Sequence, residues 1–180
     1  MRNGADHFSL REAAREVGVS ANASYRHFPD KSSLLAEVAA DGFAALRARM
    51  QQLGPAPGLC PKELAMERFK ATGRAYVAFA LENPQIFRLM FSKSCLAHIA
   101  GAGKMPHPTP YEMLSDSLDG LKAIGALGAE DRAGAELKTW ALVHGLAHLV
   151  LDGAYPGSGV ELARELENLL EFAVRGLCGP

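Results

Sequence analysis

The chain has 180 residues, 48% of them hydrophobic, three cysteines and a formal net charge of −1 at pH 7. That length allows one large or two small domains with a sizeable core, and the near-neutral charge excludes a broad basic surface built to coat a polyanion. Cys60, Cys95 and Cys178 are odd in number, far apart and without a CxxC pair, so they specify neither a disulfide framework nor a zinc knuckle and suit a reducing cytoplasm.

Met1–Phe8 contains Gly4, Ala5, Asp6, His7 and Phe8 and reads as a loop. Two short helices joined by a glycine turn follow between Ser9 and Lys31. Ser9 is a good N-cap, and Leu10, Ala13, Ala14 and Val17 recur on one face, with Arg11, Glu12, Arg15 and Glu16 between them. Gly18 supplies a residue able to take positive φ, Val19 is placed to plug the corner, and Ser20 can cap a second helix from Ala21 to about Phe28, closed by Pro29 and Asp30. Ala14 and Gly18 are small enough for two helices to cross closely, which is the packing a helix-turn-helix needs. The second helix carries Asn22, Tyr25, Arg26 and His27, side chains that donate to phosphates or meet base edges in the major groove.

The run S-L-R-E-A-A-x-x-V-G-V-S-x-N-A-x-Y-R-H-F-x-x-K resembles the DNA-binding half of the TetR/AcrR family of bacterial transcriptional regulators. The resemblance implies that Tyr25, His27 and Lys31 anchor phosphates, that Ser9 and Ser20 cap helices while touching the backbone, and that Arg11, Asn22, Ser24 and Arg26 read bases. Ser24 departs from the larger aliphatic residue usual there, so it either packs as a small spacer or faces DNA. Family members also have a full helix before this unit, which the first eight residues do not supply. The chain is therefore expected to start late, or to lack that helix and expose Leu10, Ala14, Val17 and Phe28. Residues 1–31 have a net charge of only +1, from Arg2, Arg11, Arg15, Arg26 and Lys31 against Asp6, Glu12, Glu16 and Asp30. Affinity for double-stranded DNA is then expected to need two copies.

Longer helices come next. Leu34, Leu35, Val38, Ala39, Gly42, Ala45, Leu46 and Met50 mark a connecting helix up to Gln52, broken by Gly54, Pro55, Pro57 and Gly58. Pro61 opens another running to about Glu82, stopped by Asn83 and Pro84. PQIFRLMFS reads as a shorter helix, and 100–110 as a loop. Three further helices are expected at Pro110 to about Leu127, Ala129 to about Tyr155 and Val160 to about Leu177. No strand pattern appears, so the fold class is all-α. The last helix shows Leu162, Leu166, Leu169, Leu170, Ala173 and Leu177 on one face. The one before it is apolar nearly all round from Trp140 to Leu151, as if buried on more than one side. Leu146, Leu149, Val150, Leu162, Leu166, Leu169, Leu170 and Ala173 are accordingly the expected interface of a homodimer built as an intermolecular four-helix bundle.

NPQIFRLMF at 83–91 and WALVHG at 140–145 are similar to the ligand-binding domain of the branch of that family named for its Trp, His and Gly. The resemblance implies residues 1–45 as the helix-turn-helix domain and 46–180 as a helical effector-binding and dimerisation domain. It also implies a small hydrophobic effector that shifts the Lys31–Gln52 helix and releases the operator. Tyr76, Phe79, Phe87, Met90, Phe91, Tyr111, Leu114, Trp140 and His144 would converge on its cavity.

Other chemistry is thinly supported. His144, His148 and Asp152 share a helix face at four-residue spacing, but the outer two are two turns apart and no cluster completes a metal shell. Gly101, Gly103 and Lys104 lack the spacing and following hydroxyl of a phosphate loop, and there is no Gly-x-Ser-x-Gly turn. The chain is expected not to be an enzyme and to need no cofactor. Trp140–Leu151 is too short and too interrupted by histidines to span a bilayer, so a soluble cytoplasmic protein is expected. The function expected is a DNA-binding regulator, a homodimeric repressor released by an effector. The alternative is a helical ligand-binding or dimerisation module without DNA activity.

Overall fold

The computed structural model describes residues 9–52, 58–157 and 159–179. Met1–Phe8, on which the expectation of a missing first helix rests, and the Gly54, Pro55 and Pro57 break lie outside the described residues. Among the described residues there are only helices: α1 Leu10–Glu16, α2 Ala21–His27, α3 Lys31–Gln51, α4 Pro61–Glu82, α5 Pro84–Met90, α6 Lys93–Gly101, α7 Pro110–Ala123, α8 Ala129–Arg132, α9 Ala135–Leu151 and α10 Gly159–Cys178.

Their starts follow from cap chemistry. Ser9 accepts from the Glu12 amide while the Glu12 carboxylate accepts from the Ser9 amide, and Thr109 and Glu112 repeat this reciprocal pairing at α7. Asp30 accepts from the Ser33 amide at 2.7 Å, so the residue expected to close α2 also opens α3.

Three boundaries and one helix differ from expectation. Residues 93–101 form α6, capped by Ser92, where the sequence pattern assigns nothing between the 84–92 helix and the 100–110 loop. Its nine residues are too short to show a clear period. Helix α7 ends at Ala123, not Leu127, because Gly125 takes positive φ and the amide of Ala126 returns to the Leu121 carbonyl at 2.9 Å. The single helix expected over 129–155 is two: Gly134 at φ 70° separates α8 from α9, and Gly153 at φ 70° stops α9 at Leu151.

The chain divides into two compact units. The first comprises the described residues up to Ala45 with Asn83–His107, and contains α1, α2, the first part of α3, α5 and α6. Within it Gly42 allows α5 against α3, since a Cβ there would lie 2.7 Å from both Ile86 and Met90. The Lys104 ammonium pairs with the Glu37 carboxylate.

The second unit comprises Leu46–Glu82 and Pro108–Pro180. Helix α4 is its axis, in contact with α7, α9 and α10. One core cluster joins Phe69 of α4, Leu118 and Leu121 of α7, Ala135 of α9, and Ala173, Val174 and Leu177 of α10. Arg74 of α4 bonds both Glu67 and, bidentately, Glu167 of α10, and these carboxylates raise its pKa further above its ordinary value.

Candidate nucleic-acid interface, ring cluster and cleft

The turn between α1 and α2 closes as the glycine predicts. Gly18 sits at φ 73°, its amide bonds the Arg15 carbonyl at 3.2 Å, and the Val19 amide bonds the Ala14 carbonyl at 2.9 Å. This is a Schellman motif, which satisfies the last carbonyls of α1 and turns the chain within two residues. Ser20 then caps α2, accepting from the Ala23 amide at 3.2 Å.

Leu10 and Ala14 are buried at 4% and 3% exposure, so the alternative in which they face solvent does not hold for them. Val17 and Phe28 follow that expectation in part, one exposed and the other half-buried. Val19 is exposed and does not plug the corner, because the backbone bonds of the turn already close it.

On α2 and its flanks, Ser9, Arg11, Ser20, Asn22, Tyr25, Arg26 and His27 are exposed, and Lys31 is half-buried at the first position of α3. Ser24 is the correction. It is buried, and its hydroxyl donates to the Ala21 carbonyl at 2.7 Å, so it packs as a spacer and offers nothing to a base edge. Hydrogen bonds from Ser9 hold the Glu12 carboxyl below its ordinary pKa, and those from Ser33 do the same for Asp30. Both carboxylates are thus occupied at helix N-termini rather than facing the α2 cations.

The nine residues expected around an effector are divided between the two units. In the first, Phe87 and Met90 are fully buried, and Phe91 meets Phe87 and Phe43 with ring centroids 5.0 and 5.5 Å apart. In the second, the Trp140 indole donates to the Tyr76 hydroxyl at 2.9 Å, and that hydroxyl lies 2.8 Å from His144 Nδ1. Tyr111 stands edge-on to Trp140 with centroids 6.1 Å apart. An indole only donates, so a neutral His144 accepting at Nδ1 satisfies the chain of bonds. Burial and the neighbouring His148 push the His144 pKa below its ordinary value, which keeps it neutral at pH 7. Burial likewise raises that of Tyr76. Phe79 is buried on α4, and Leu114 packs against the core cluster.

His148 Nδ1 is 4.0 Å from Asp152, and its ring stands edge-on to His144 with centroids 4.6 Å apart. Among the described residues no group of three or more His, Cys, Asp or Glu is arranged to hold a metal ion.

A cleft of about 520 Å³ opens elsewhere in the second unit, and sequence reasoning missed it. Met50 from the last turn of α3, Leu64 and Ala65 of α4 and Ile124 beside α7 make its apolar lining, with Arg68, Thr72, Asp116 and Ser117 as polar groups. None of the nine expected residues lines it. The available signal was the i, i+4, i+8 series Leu64, Arg68, Thr72, where polar residues interrupt an apolar stripe.

The expected dimer face needs revision too. Leu162, Leu166, Leu170 and Ala173 are buried within their own chain. Helix α10 contacts both α4 and α9, and a Cβ at Gly73 of α4 would lie 2.5 Å from Leu170. Leu146, Val150 and Leu169 are half-buried and Leu149 is 51% exposed. Helix α9 buries one stripe, Ala135, Thr139, Val143 and Ala147, instead of several sides. Besides Leu149, which the sequence pattern selected, Leu137 at 64% on α9 and Phe172 at 63% on α10 are exposed apolar side chains that it did not select. Among the described residues no helix is long and apolar enough to cross a membrane.

Residues 69–177 match the family model "Tetracyclin repressor-like, C-terminal domain", and residues 1–38 match "Bacterial regulatory proteins, tetR family". Among solved structures, a protein of unknown function from Rhodococcus sp. RHA1 is similar at 27% identity and a TM-score of 0.76, covering 98% of this chain and 88% of that one. A tetR-family regulatory protein from Rhodococcus RHA1 is similar at 20% identity and 0.65, covering 98% and 90%. The TetR-family transcriptional regulator PfmR from Thermus thermophilus gives 20% and 0.61, covering 96% and 91%. At 20% identity the last two likenesses bear on the fold. No curated protein matches the chain significantly.

Proposed function

This chain belongs to the TetR family of bacterial regulators and is a DNA-binding transcriptional regulator, and we propose that it acts in the cytoplasm as a homodimeric repressor released from its operator by a small effector. The observation that carries the reading is the exposed face of α2, where Asn22, Tyr25, Arg26 and His27 stand on a helix whose turn, cap and inner face are fully occupied in holding it. Arg11, Asn22 and Arg26 are the base readers in this proposal, and Tyr25, His27 and Lys31 the phosphate anchors. Ser9 and Ser20 hold the helix starts and touch the DNA backbone.

A local charge near neutrality gives a single copy weak affinity, so two copies on a two-fold operator supply the rest. Leu137, Leu149 and Phe172 are the anchors of the α9–α10 interface between them. DNase footprinting on the promoter of the chain's own gene tests this. The expected result is protection of two half-sites about one or two helical turns apart, each turn being about 10 base pairs. A complex containing one copy on one half-site would refute the dimeric reading.

A further inference from the structure

The cleft between α3, α4 and α7 offers a combination of groups that the ring cluster does not. We infer that it is the seat of the effector, and that it takes a zwitterionic amphipath whose carboxylate meets Arg68 and whose ammonium meets Asp116. The inference rests on the reading of the chain as an effector-released regulator.

The lining determines the chemistry. The Thr72 hydroxyl donates to the Phe69 carbonyl at 2.6 Å and that of Ser117 to the Leu114 carbonyl at 2.7 Å, so each has spent its one donor on its own helix and presents only lone pairs. Arg68 and Asp116 are exposed and, among the described residues, neither has a hydrogen-bond or ion-pair partner. The side chains of the cleft therefore provide one free cationic donor, Arg68, and an acceptor set of Asp116, Thr72 and Ser117. A ligand that matches both carries an anionic acceptor group and a charged donor group. Met50, Leu64, Ala65 and Ile124 require an apolar body between them.

At about 520 Å³ the space suits a molecule of the size of a hydrophobic dipeptide. Met50 lies in the last turn of α3, so a ligand in the cleft touches the C-terminal end of that helix.

Isothermal titration calorimetry on the full chain tests the inference with L-leucyl-L-phenylalanine, its N-acetyl form and its C-terminal amide. The free dipeptide is expected to bind. Arg68→Gln should weaken it about tenfold or more while leaving the amide unchanged, since a hydrogen bond to a charged group is at stake only when the carboxylate is present. Asp116→Asn should weaken it while leaving the N-acetyl form unchanged. Both side chains are exposed, so the variants are expected to keep wild-type circular dichroism and melting. No heat at millimolar dipeptide, or one affinity across all variants and forms, overturns the inference. So does a dependence on Arg68 alone, which would make the site a simple carboxylate seat.

A gel shift on the same preparations separates the two levels. Protein that shifts its operator but binds no dipeptide overturns the cleft assignment only. Protein that binds dipeptide with the expected variant pattern, yet holds its operator equally well with and without it, overturns the effector role and leaves the cleft chemistry standing.

Discussion

The α1–α2 pair and the α9–α10 pair each consist of two consecutive helices, yet they stand in opposite relations to the sequence that encodes them. In α1–α2 every determinant is local: Ser9 and Ser20 cap, Gly18 turns, Ala14 leaves room for the crossing, and the polar side chains of α2 face solvent because nothing in the unit needs them. In α9–α10 the pattern gives two apolar helices, but which apolar stripe is inside is decided by α4, far earlier in the chain. Polar exposure is a property a segment declares by itself, whereas apolar exposure becomes defined only after packing.

The largest effect is expected at Leu170. If it is core, as its 2% exposure indicates, Leu170→Ala should cost about 2–5 kcal/mol of stability, read by urea unfolding, because it leaves a cavity against α4. If it were an interface residue, Leu170→Ala would weaken the dimer in analytical ultracentrifugation and leave unfolding of the isolated chain little changed. Phe172→Ala should behave in the reverse way, with little change in unfolding of the isolated chain but a weaker dimer in analytical ultracentrifugation. An unchanged dimer with Phe172→Ala and a dissociated, stable one with Leu170→Ala would restore the sequence-based face.

Smaller effects sharpen the local side of the contrast. Ser20→Ala should cost about 1 kcal/mol through the lost cap at the Ala23 amide, with α2 helicity and operator affinity falling together. Ser20→Asn, another good cap, should rescue both. The smallest effect is the pH response of His144. Its pKa is held below the ordinary value in the folded chain, so the folded state favours neutral imidazole. The resulting stability is full above about pH 6.5 and is lost as pH falls below that value through the depressed folded pKa. Melting curves at pH 7.5 and 6 should show a loss in the wild type that shrinks in His144→Gln; an equal loss in both would mean His144 does not titrate in this window.

Much of the fold was readable in the chain because helix starts and stops are written in single residues. Pro61, Asn83 with Pro84, and Pro110 each marked a boundary within a turn of its place. The failures share one physical cause, competition between neighbouring signals. At 129–155 the apolar run outweighed Gly134 and Gly153, although each takes positive φ and breaks the helix. At 93–101 the glycines that end α6 masked the helix before them.

The site divides in the same manner. The exposed residues of α2 were read directly, while Ser24 could be placed only once its hydroxyl was seen to donate to Ala21. Only the α4 side of the cleft, Leu64, Arg68 and Thr72, follows a local pattern, because Met50 and Asp116 come from two other helices.

On the proposed assignment, Asn22 and Arg26 on the exposed face of α2 read sequence, while Tyr25 and His27 on the same helix supply affinity without reading. Fluorescence anisotropy with an operator duplex and a scrambled duplex, at one fixed salt concentration, tests this assignment most directly. Asn22→Ala is expected to lose about 1–3 kcal/mol of discrimination between the two duplexes, and Tyr25→Ala to weaken both by the same factor. Indistinguishable profiles for the two variants, or a wild type that binds both duplexes equally, would contradict the account.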